Sequence, residues 1–276
     1  MQRAIFSFAL ALRRFHEKNA WVLCSHIAMS MMLALFPFVL FTVALAGAVA
    51  NLVSHELRLQ QLVDLVFGAW PTEVSGPILR ELYAVLETSS PGLATFGGVL
   101  ALFFASNGVN AIRFAMVRAY HDLDERPFWL SRLICLGLVI LGGSGILIAA
   151  VFEIAIPLYV AYFSELFPQV ELLNGLGKGM NRALILGMPF LAVLLCHLFL
   201  PGRIHPIREI LPGVLVTAFL WWIAGIGFAF YVTSIAQYSA TYAGLAGAIA
   251  AIIFLYVNAA ILILGAEFNG ALIDSA

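Results

Sequence analysis

The sequence predicts an all-α, polytopic membrane protein with six transmembrane helices. Of its 276 residues, 63% are hydrophobic and only 11% are charged, and the mean hydropathy is +1.01. A soluble domain carries about a quarter charged residues, so this composition excludes an ordinary water-exposed surface. Six apolar runs approach or exceed the roughly 20 residues that a helix needs to cross the hydrocarbon core. They lie approximately at residues 22–50, 92–112, 133–161, 183–200, 210–236 and 243–266.

The runs are predicted to be helices of one membrane domain covering residues 1–276. Barrel strands alternate apolar and polar residues over about 10 positions, and these runs do not alternate. Lysine and arginine are concentrated in the N-terminal segment and in the loops after the second and fourth spans, with ten such residues there against four in the other loops. Since basic loops stay in the cytoplasm, we expect both termini to be cytoplasmic.

The N-terminal segment is predicted to be an amphipathic helix. Ile5, Phe8, Leu12 and Phe15 recur at spacings of three and four, which places them on one face. Two interpretations remain open: the helix lies in the membrane interface, or it packs on the underside of the bundle. The three cysteines, Cys24, Cys135 and Cys196, follow no metal-binding spacing and are interpreted as small buried side chains.

The clearest polar feature inside a span is a stripe in the second one. Asn107, Asn110 and Arg113 are three residues apart and share one helix face. Ionisable groups within the membrane are costly and are functional candidates by default. The stripe therefore either lines a substrate path or forms hydrogen bonds between helices, which are worth about 0.6 kcal/mol each on average.

Two acidic residues complete the candidate positions. Glu153 is expected near the outer end of the third span, and Glu267 near the cytoplasmic end of the sixth. If the second and sixth helices are neighbours, Glu267 can form an ion pair with Arg113. The single histidines His26 and His197 are interpreted as packing residues.

An enzyme is not expected. A metal-dependent hydrolase needs converging histidine and carboxylate ligands, and the histidines form no close pair. The densest acidic cluster, Asp122, Asp124 and Glu125, is interpreted as a solvated helix end. No phosphate-binding G-x-x-x-x-G-K-[ST] loop is present. We therefore expect no metal and no cofactor, and the net charge of −1 gives no indication of a nucleic-acid partner.

Several segments resemble the YihY/BrkB family of bacterial inner-membrane proteins. The similarity covers most of the chain in the same order. It is carried by Ser30 to Pro37, Phe104 to Gly108 continuing to Arg113, Leu211-Pro212-Gly213, Phe230-Tyr231, Thr241 to Ala246, Leu255-Tyr256 and Leu264 to Asn269. One departure is Ala243, because a glycine would be expected directly after Tyr242.

The resemblance implies a six-helix protein of the inner membrane, and Asn107, Arg113, Tyr242 and Glu267 are its family-like positions. The family was once labelled a ribonuclease, and some members are linked to serum resistance or to tolerance of altered envelope lipids. We expect movement of a lipid or another amphipathic envelope substrate, with membrane lipids as partners. The alternative is a scaffold or regulatory protein of the envelope, and a homo-oligomer is also open.

Overall fold

The chain is all-helical wherever a computed structural model describes it, at residues 2–52, 91–145, 187–235 and 245–275. Seven helices and no strand occur in these ranges. They are α1 Gln2–Glu17, α2 Ala20–Leu52, α3 Pro91–Ala119, α4 Phe128–Gly145, α5 Gly187–Phe199, α6 Ile207–Ile235 and α7 Leu245–Asp274. The all-α prediction is therefore confirmed for the described part of the chain.

Four helical segments are long and apolar enough to cross a membrane. They are Thr95–Ala119, Phe128–Gly145, Ile207–Tyr231 and Gly247–Asp274. Two shorter apolar stretches, Ala20–Leu35 and Gly187–Phe199, coincide with the first and fourth predicted spans. Large side chains on α6, including Phe219, Trp222 and Phe230, face outward, as expected for helices surrounded by lipid tails. The membrane assignment holds, whereas the count of six spans remains a prediction.

Two helices continue beyond their predicted spans. α3 extends to Ala119 instead of residue 112, and α7 extends to Asp274 instead of residue 266. The added turns carry Arg113 and Arg118 in α3 and Glu267 and Asn269 in α7. Polar residues lower the local hydropathy but do not end a helix when partners satisfy them. Hydropathy alone therefore placed these two helix ends too early.

α7 is the helix around which the others are arranged, since it contacts α1, α2, α3 and α6, while α2 also packs along α3. Its sequence is apolar on nearly every side, as expected for a membrane span that faces lipid as well as other helices. The core contains Ile27 and Met116 from α2 and α3, together with Leu262, Ile263 and Ala266 from α7.

Glycines bring α6 and α7 into backbone contact. A Cβ atom on Gly265 would lie 2.8 Å from the carbonyl oxygen of Gly213 and would collide with the Thr217 hydroxyl. A Cβ atom on Gly213 would meet the backbone of Gly265 and the amide of Asn269. Neither position has room for a side chain. In membrane proteins, small residues at a helix interface commonly allow the two backbones to come this close.

The α1 helix packs on the end of the bundle, which supports the second interpretation of its amphipathic pattern. Ala11 and Phe15 are buried, and the Phe8 ring lies 5.9 Å from the Phe268 ring of α7. The predicted stripe was wrong at Leu12, which is 49% exposed. The buried face instead includes Ser7, because α1 turns its small residues toward α7.

A short turn and two ion pairs fix α1 in place. Asn19 adopts a φ of 52° and ends α1, a left-handed conformation that asparagine tolerates better than most residues. Lys18 Nζ then lies 2.8 and 2.9 Å from the two carboxylate oxygens of Glu267, and it donates to the Arg118 carbonyl at 3.2 Å. Arg14 pairs with Asp274 at 2.7 Å.

The predicted Arg113–Glu267 pair is therefore wrong. Glu267 is 2% exposed and its charge is balanced by Lys18, whereas Arg113 pairs with Asp124. α3 and α7 are in contact, as expected. However, the cation that pairs with Glu267 is Lys18 of the N-terminal segment. No sequence pattern within the spans indicates this pairing.

Replacing Gly265 by alanine is expected to destabilise the protein, because the added methyl group forces α6 and α7 apart. Overpacking of this kind costs about 1–3 kcal/mol. The measurement is the thermal unfolding midpoint of the purified protein in detergent. Gly225→Ala is the matched control, since nothing lies within 4 Å of a Cβ atom at that position. Equal midpoints for the two variants would contradict the close α6–α7 contact.

Removing Lys18 should leave the buried Glu267 carboxylate without its cation. Loss of one partner of a buried pair costs about 3–5 kcal/mol, so Lys18→Met is expected to lower the unfolding midpoint strongly. Glu267→Gln in the same chain should restore part of the loss because it removes the unpaired charge. Arg13→Met breaks only the exposed Arg13–Glu17 pair and should change stability by less than about 1 kcal/mol. Equal unfolding midpoints for Lys18→Met and Arg13→Met would show that the buried Lys18–Glu267 pair does not stabilise the packing of α1.

Candidate functional site

Polar groups collect at one end of the bundle, where α1, the end of α7 and two loops meet. The loop at residues 120–127 joins α3 to α4, and the loop at residues 200–206 joins α5 to α6. Arg203 Nε contacts Asp122 at 2.9 Å, and Arg126 Nη1 donates to the Phe199 carbonyl at 2.9 Å. The basic segments that the charge pattern placed on one side of the membrane thus lie together in space.

The polar stripe of α3 begins deep in the helix with Asn107. Its side-chain oxygen accepts a hydrogen bond of 2.7 Å from Nη1 of Arg132, which lies on α4. Nη2 of Arg132 lies 3.4 Å from the Phe103 carbonyl, and the guanidinium carbon lies 5.2 Å from the centre of the Phe103 ring. Arg132 is therefore held against α3 by neutral groups.

The stripe continues through Arg113 to the loop. Arg113 Nε donates to Asn110 Oδ1 at 3.1 Å, and Arg113 Nη1 pairs with Asp124. The other oxygen of Asp124 lies 3.1 Å from Nε of Arg126. Two arginines thus share one carboxylate at the α3–α4 connection. Because the three side chains are largely buried, this charge cluster fixes the loop to the end of α3.

The interpretation of Asp122 and Asp124 as solvated was wrong. The Asp122 side chain is 1% exposed, and its carboxylate contacts Nε2 of the buried His205 at 2.9 Å. His121 adopts a φ of 56°, and Asp122 N–H bonds to the Val117 carbonyl at 3.1 Å. This helix ending turns Asp122 back toward the bundle. Only Glu125 is exposed, as predicted.

A second polar network lies inside the bundle around Asn269. Its Nδ2 atom is 2.7 Å from the Ile210 carbonyl and 2.8 Å from the Tyr120 hydroxyl, and its Oδ1 accepts from Gly213 N–H at 2.6 Å. The Tyr120 hydroxyl lies 2.7 Å from Nδ1 of His197. These contacts link α3, α5, α6 and α7 through one amide side chain.

The contacts of Asn269 indicate which groups of this network donate hydrogen bonds and which accept them. If both amide hydrogens are donated, to Ile210 and Tyr120, the tyrosine is free to donate to His197 Nδ1. Burial raises the pKa of Tyr120 above its ordinary value, which keeps this donor protonated. His197 then carries its proton on Nε2, which has no hydrogen-bond partner among the described residues. His197 is thus buried as predicted for a packing histidine, but its ring is not fully satisfied among the described residues, whereas His26 is exposed and that prediction was wrong.

The structure brings together some of the predicted site residues and separates others. Asn107, Asn110 and Arg113 form a continuous polar line, while Glu267 lies apart from them and pairs with Lys18. Glu153 and Tyr242 lie outside the described residues. The cysteines match their interpretation: Cys24 and Cys135 are buried, Cys196 is half-buried, and none forms a disulfide in the described ranges.

Sequence reasoning did not single out Arg132 or Asn269, and it misinterpreted Asp124. Arg132 counted only toward membrane orientation, although its position one turn into an apolar helix was a usable signal. Asn269 follows Glu267 near a helix end, where a polar residue does not stand out. In the part of the chain that the structure describes, no group of three or more histidine, cysteine or acidic residues is arranged to hold a metal ion.

Comparison with known proteins identifies the family. The family model for virulence factor BrkB matches residues 11–275. The ribonuclease-like protein YfkH of Bacillus subtilis (strain 168) is 27% identical over 252 residues, covering 90% of this chain and 88% of that protein. A UPF0761 membrane protein of Coxiella burnetii (strain Dugway 5J108-111) is 27% identical over 274 residues, covering 98% and 94%.

A UPF0761 membrane protein of Alteromonas mediterranea is 24% identical over 273 residues, covering 96% of this chain and 87% of that protein. No solved structure shows a significant match. The family match spans nearly the whole chain and agrees with the apolar helices. The chain is therefore an integral membrane protein that belongs to the BrkB virulence factor family.

Proposed function

We propose that this protein moves a lipid or another amphipathic envelope substrate across or within the bacterial inner membrane. The observation that carries the proposal is the polar line from Asn107 to Arg113 on α3, a helix long and apolar enough to cross a membrane. Asn107 precedes the end of α3 at Ala119 by 12 residues, or about 18 Å at 1.5 Å per residue. Polar and charged groups at such depth are retained mainly where a substrate or ion passes.

The line also reaches the outside of the bundle. Asn107 and Asn110 are half-buried, and the Phe103 side chain beside them is 52% exposed. A headgroup could contact these residues while its acyl chains remain in the surrounding lipid. This geometry suits an amphipathic substrate better than a small ion, which would need a closed polar path through the protein.

We propose a non-enzymatic role with the polar end of the bundle in the cytoplasm. Each buried carboxylate there is already paired with a cation: Asp122 with Arg203, Asp124 with Arg113, and Glu267 with Lys18. Such carboxylates are poorly placed to bind a catalytic metal. The excess of lysine and arginine at this end supports its cytoplasmic position. Membrane lipids are the proposed partners, and self-association into a homo-oligomer is compatible with the exposed apolar face of α6.

A scaffold without transport activity is the second candidate, and one observation favours it. All three members of the stripe already bond within the protein, since Asn107 bonds Arg132 and Arg113 bonds both Asn110 and Asp124. A polar line of this kind can stabilise helix packing alone. The two candidates differ in whether Asn107 is needed for activity or only for stability.

The test is lipid translocation in vesicles. Purified protein is reconstituted with a fluorescent phospholipid, and a membrane-impermeant reductant quenches outer-leaflet label. We expect quenching to extend well beyond that of protein-free vesicles, and Asn107→Leu to slow it by about tenfold, the effect of losing roughly 1.4 kcal/mol at a polar contact. The substitution keeps the side-chain size but removes the polar group that faces the headgroup.

Asn258→Leu on α7 is the matched control. Among the described residues its side-chain amide bonds only to the Phe254 carbonyl of its own helix, so transport should be unchanged. Quenching equal to that of protein-free vesicles, with a variety of headgroups, would favour the scaffold. Equal rates for Asn107→Leu and the parent protein would also contradict a path along α3.

A further inference from the structure

We infer that Arg132, held by Asn107, forms a binding site for the phosphate group of a lipid on the flank of the bundle between α3 and α4. This inference rests on the proposed function and names the substrate class that the same polar line would handle. It assigns a ligand to Arg132, which forms no ion pair with another helix in the described part of the chain. Three properties of Arg132 support it: its contacts with α3, its unpaired charge and its exposed surroundings.

The Arg132 side chain packs against α3. Arg132 lies four residues inside the start of α4 at Phe128, or about 6 Å along the helix. Long basic side chains at such positions normally extend toward water. Arg132 instead donates to the Asn107 side chain and to the Phe103 carbonyl of α3. Its guanidinium therefore lies against the side of α3.

The charge of Arg132 is not balanced by a carboxylate in the described part of the chain. Its hydrogen-bond acceptors are an amide oxygen and a backbone carbonyl, both neutral. Nearby, Arg113 and Arg126 share the single carboxylate of Asp124. All four charged groups lie around the Cys135 side chain. Three cations and one anion leave a net positive charge, which favours an anionic ligand.

The chemistry of the guanidinium group favours phosphate. A guanidinium carries five N–H donors in a planar fork that matches two oxygens of a phosphate group. Asn107 and Phe103 engage one donor on each terminal nitrogen, so further donors remain for a ligand. The surrounding hydrocarbon strengthens such a contact because little water competes with it.

The site opens to lipid. Phe103 and Leu133, which flank Arg132, are both exposed, and Trp129 one turn earlier on α4 is exposed as well. An indole near the end of a span is typical of the headgroup region. A phospholipid could therefore place its phosphate at Arg132 while its acyl chains lie along the apolar faces of α3 and α4.

Binding of short-chain ligands to the full-length protein in detergent tests the site directly. The probes are dioctanoyl phosphatidylglycerol, dioctanoylglycerol, which lacks phosphate, and inorganic phosphate, each measured by titration calorimetry. We expect phosphatidylglycerol to bind, dioctanoylglycerol to bind at least tenfold more weakly, and Arg132→Gln to weaken phosphatidylglycerol binding by roughly tenfold to a hundredfold. Arg132→Lys keeps the charge but loses the fork, so it should retain part of the affinity.

Arg208→Gln is the control, because it removes one exposed positive charge from the same end of the protein. It should bind like the parent, and unfolding midpoints should confirm that the variants are folded. Equal affinity of Arg132→Gln and the parent for phosphatidylglycerol, or equal affinity for dioctanoylglycerol, would overturn the inference. Inorganic phosphate binding that depends on Arg132 would support the phosphate site and show that it also accepts the free anion.

The inference and the proposed function can fail separately. Binding that depends on Arg132, without translocation in vesicles, would leave the phosphate site standing and contradict transport. Translocation that is unchanged in Arg132→Gln, whatever the headgroup, would support transport and contradict the phosphate site.

Discussion

Charged groups inside an apolar bundle must find partners within the protein, and this constraint decides the arrangement of the polar end. Buried charges are costly unless they are paired. Glu267 on α7 is paired by Lys18, which fixes α1 to the bundle, and Asp122 is paired by Arg203 and His205, which joins the two loops. Arg132 is the exception among the described charges at the start of α4, because only neutral acceptors hold it. That exception is the basis for the proposed phosphate site between α3 and α4.

The close contact of α6 and α7 complements these ion pairs. Gly213 and Gly265 allow the backbones to meet, and Asn269 then reaches across to Gly213, Ile210 and Tyr120. Backbone proximity and buried hydrogen bonds therefore depend on each other at this crossing. These contacts connect the helices around α7 to one another. The α4 helix, by contrast, is largely exposed. A protein with one fixed side and one lipid-facing polar line is suited to guiding an amphipathic molecule along that line.

The sequence predicted the helical class and the approximate positions of the apolar helices that the structure describes, because hydropathy directly reflects the surrounding solvent. It also predicted that Asn107, Asn110 and Arg113 share a face, since helical spacing is local. It could not predict partners that are distant in sequence. Arg113 pairs with Asp124 rather than Glu267 because His121 turns the loop inward, and Glu267 pairs with Lys18 across 249 positions. The contact of Arg132 with Asn107 depends on where α4 packs against α3, which composition does not encode.

Photocrosslinking with a phospholipid that carries a photoreactive group on its headgroup tests the central claim most directly. The protein would be irradiated in a native-like bilayer, and the labelled peptides identified by mass spectrometry. The account predicts that labelling is concentrated on α3 between Phe103 and Arg113 and on α4 between Phe128 and Leu133. Labelling that is no stronger there than on the exposed face of α6, from Phe219 to Phe230, would contradict a headgroup site between α3 and α4.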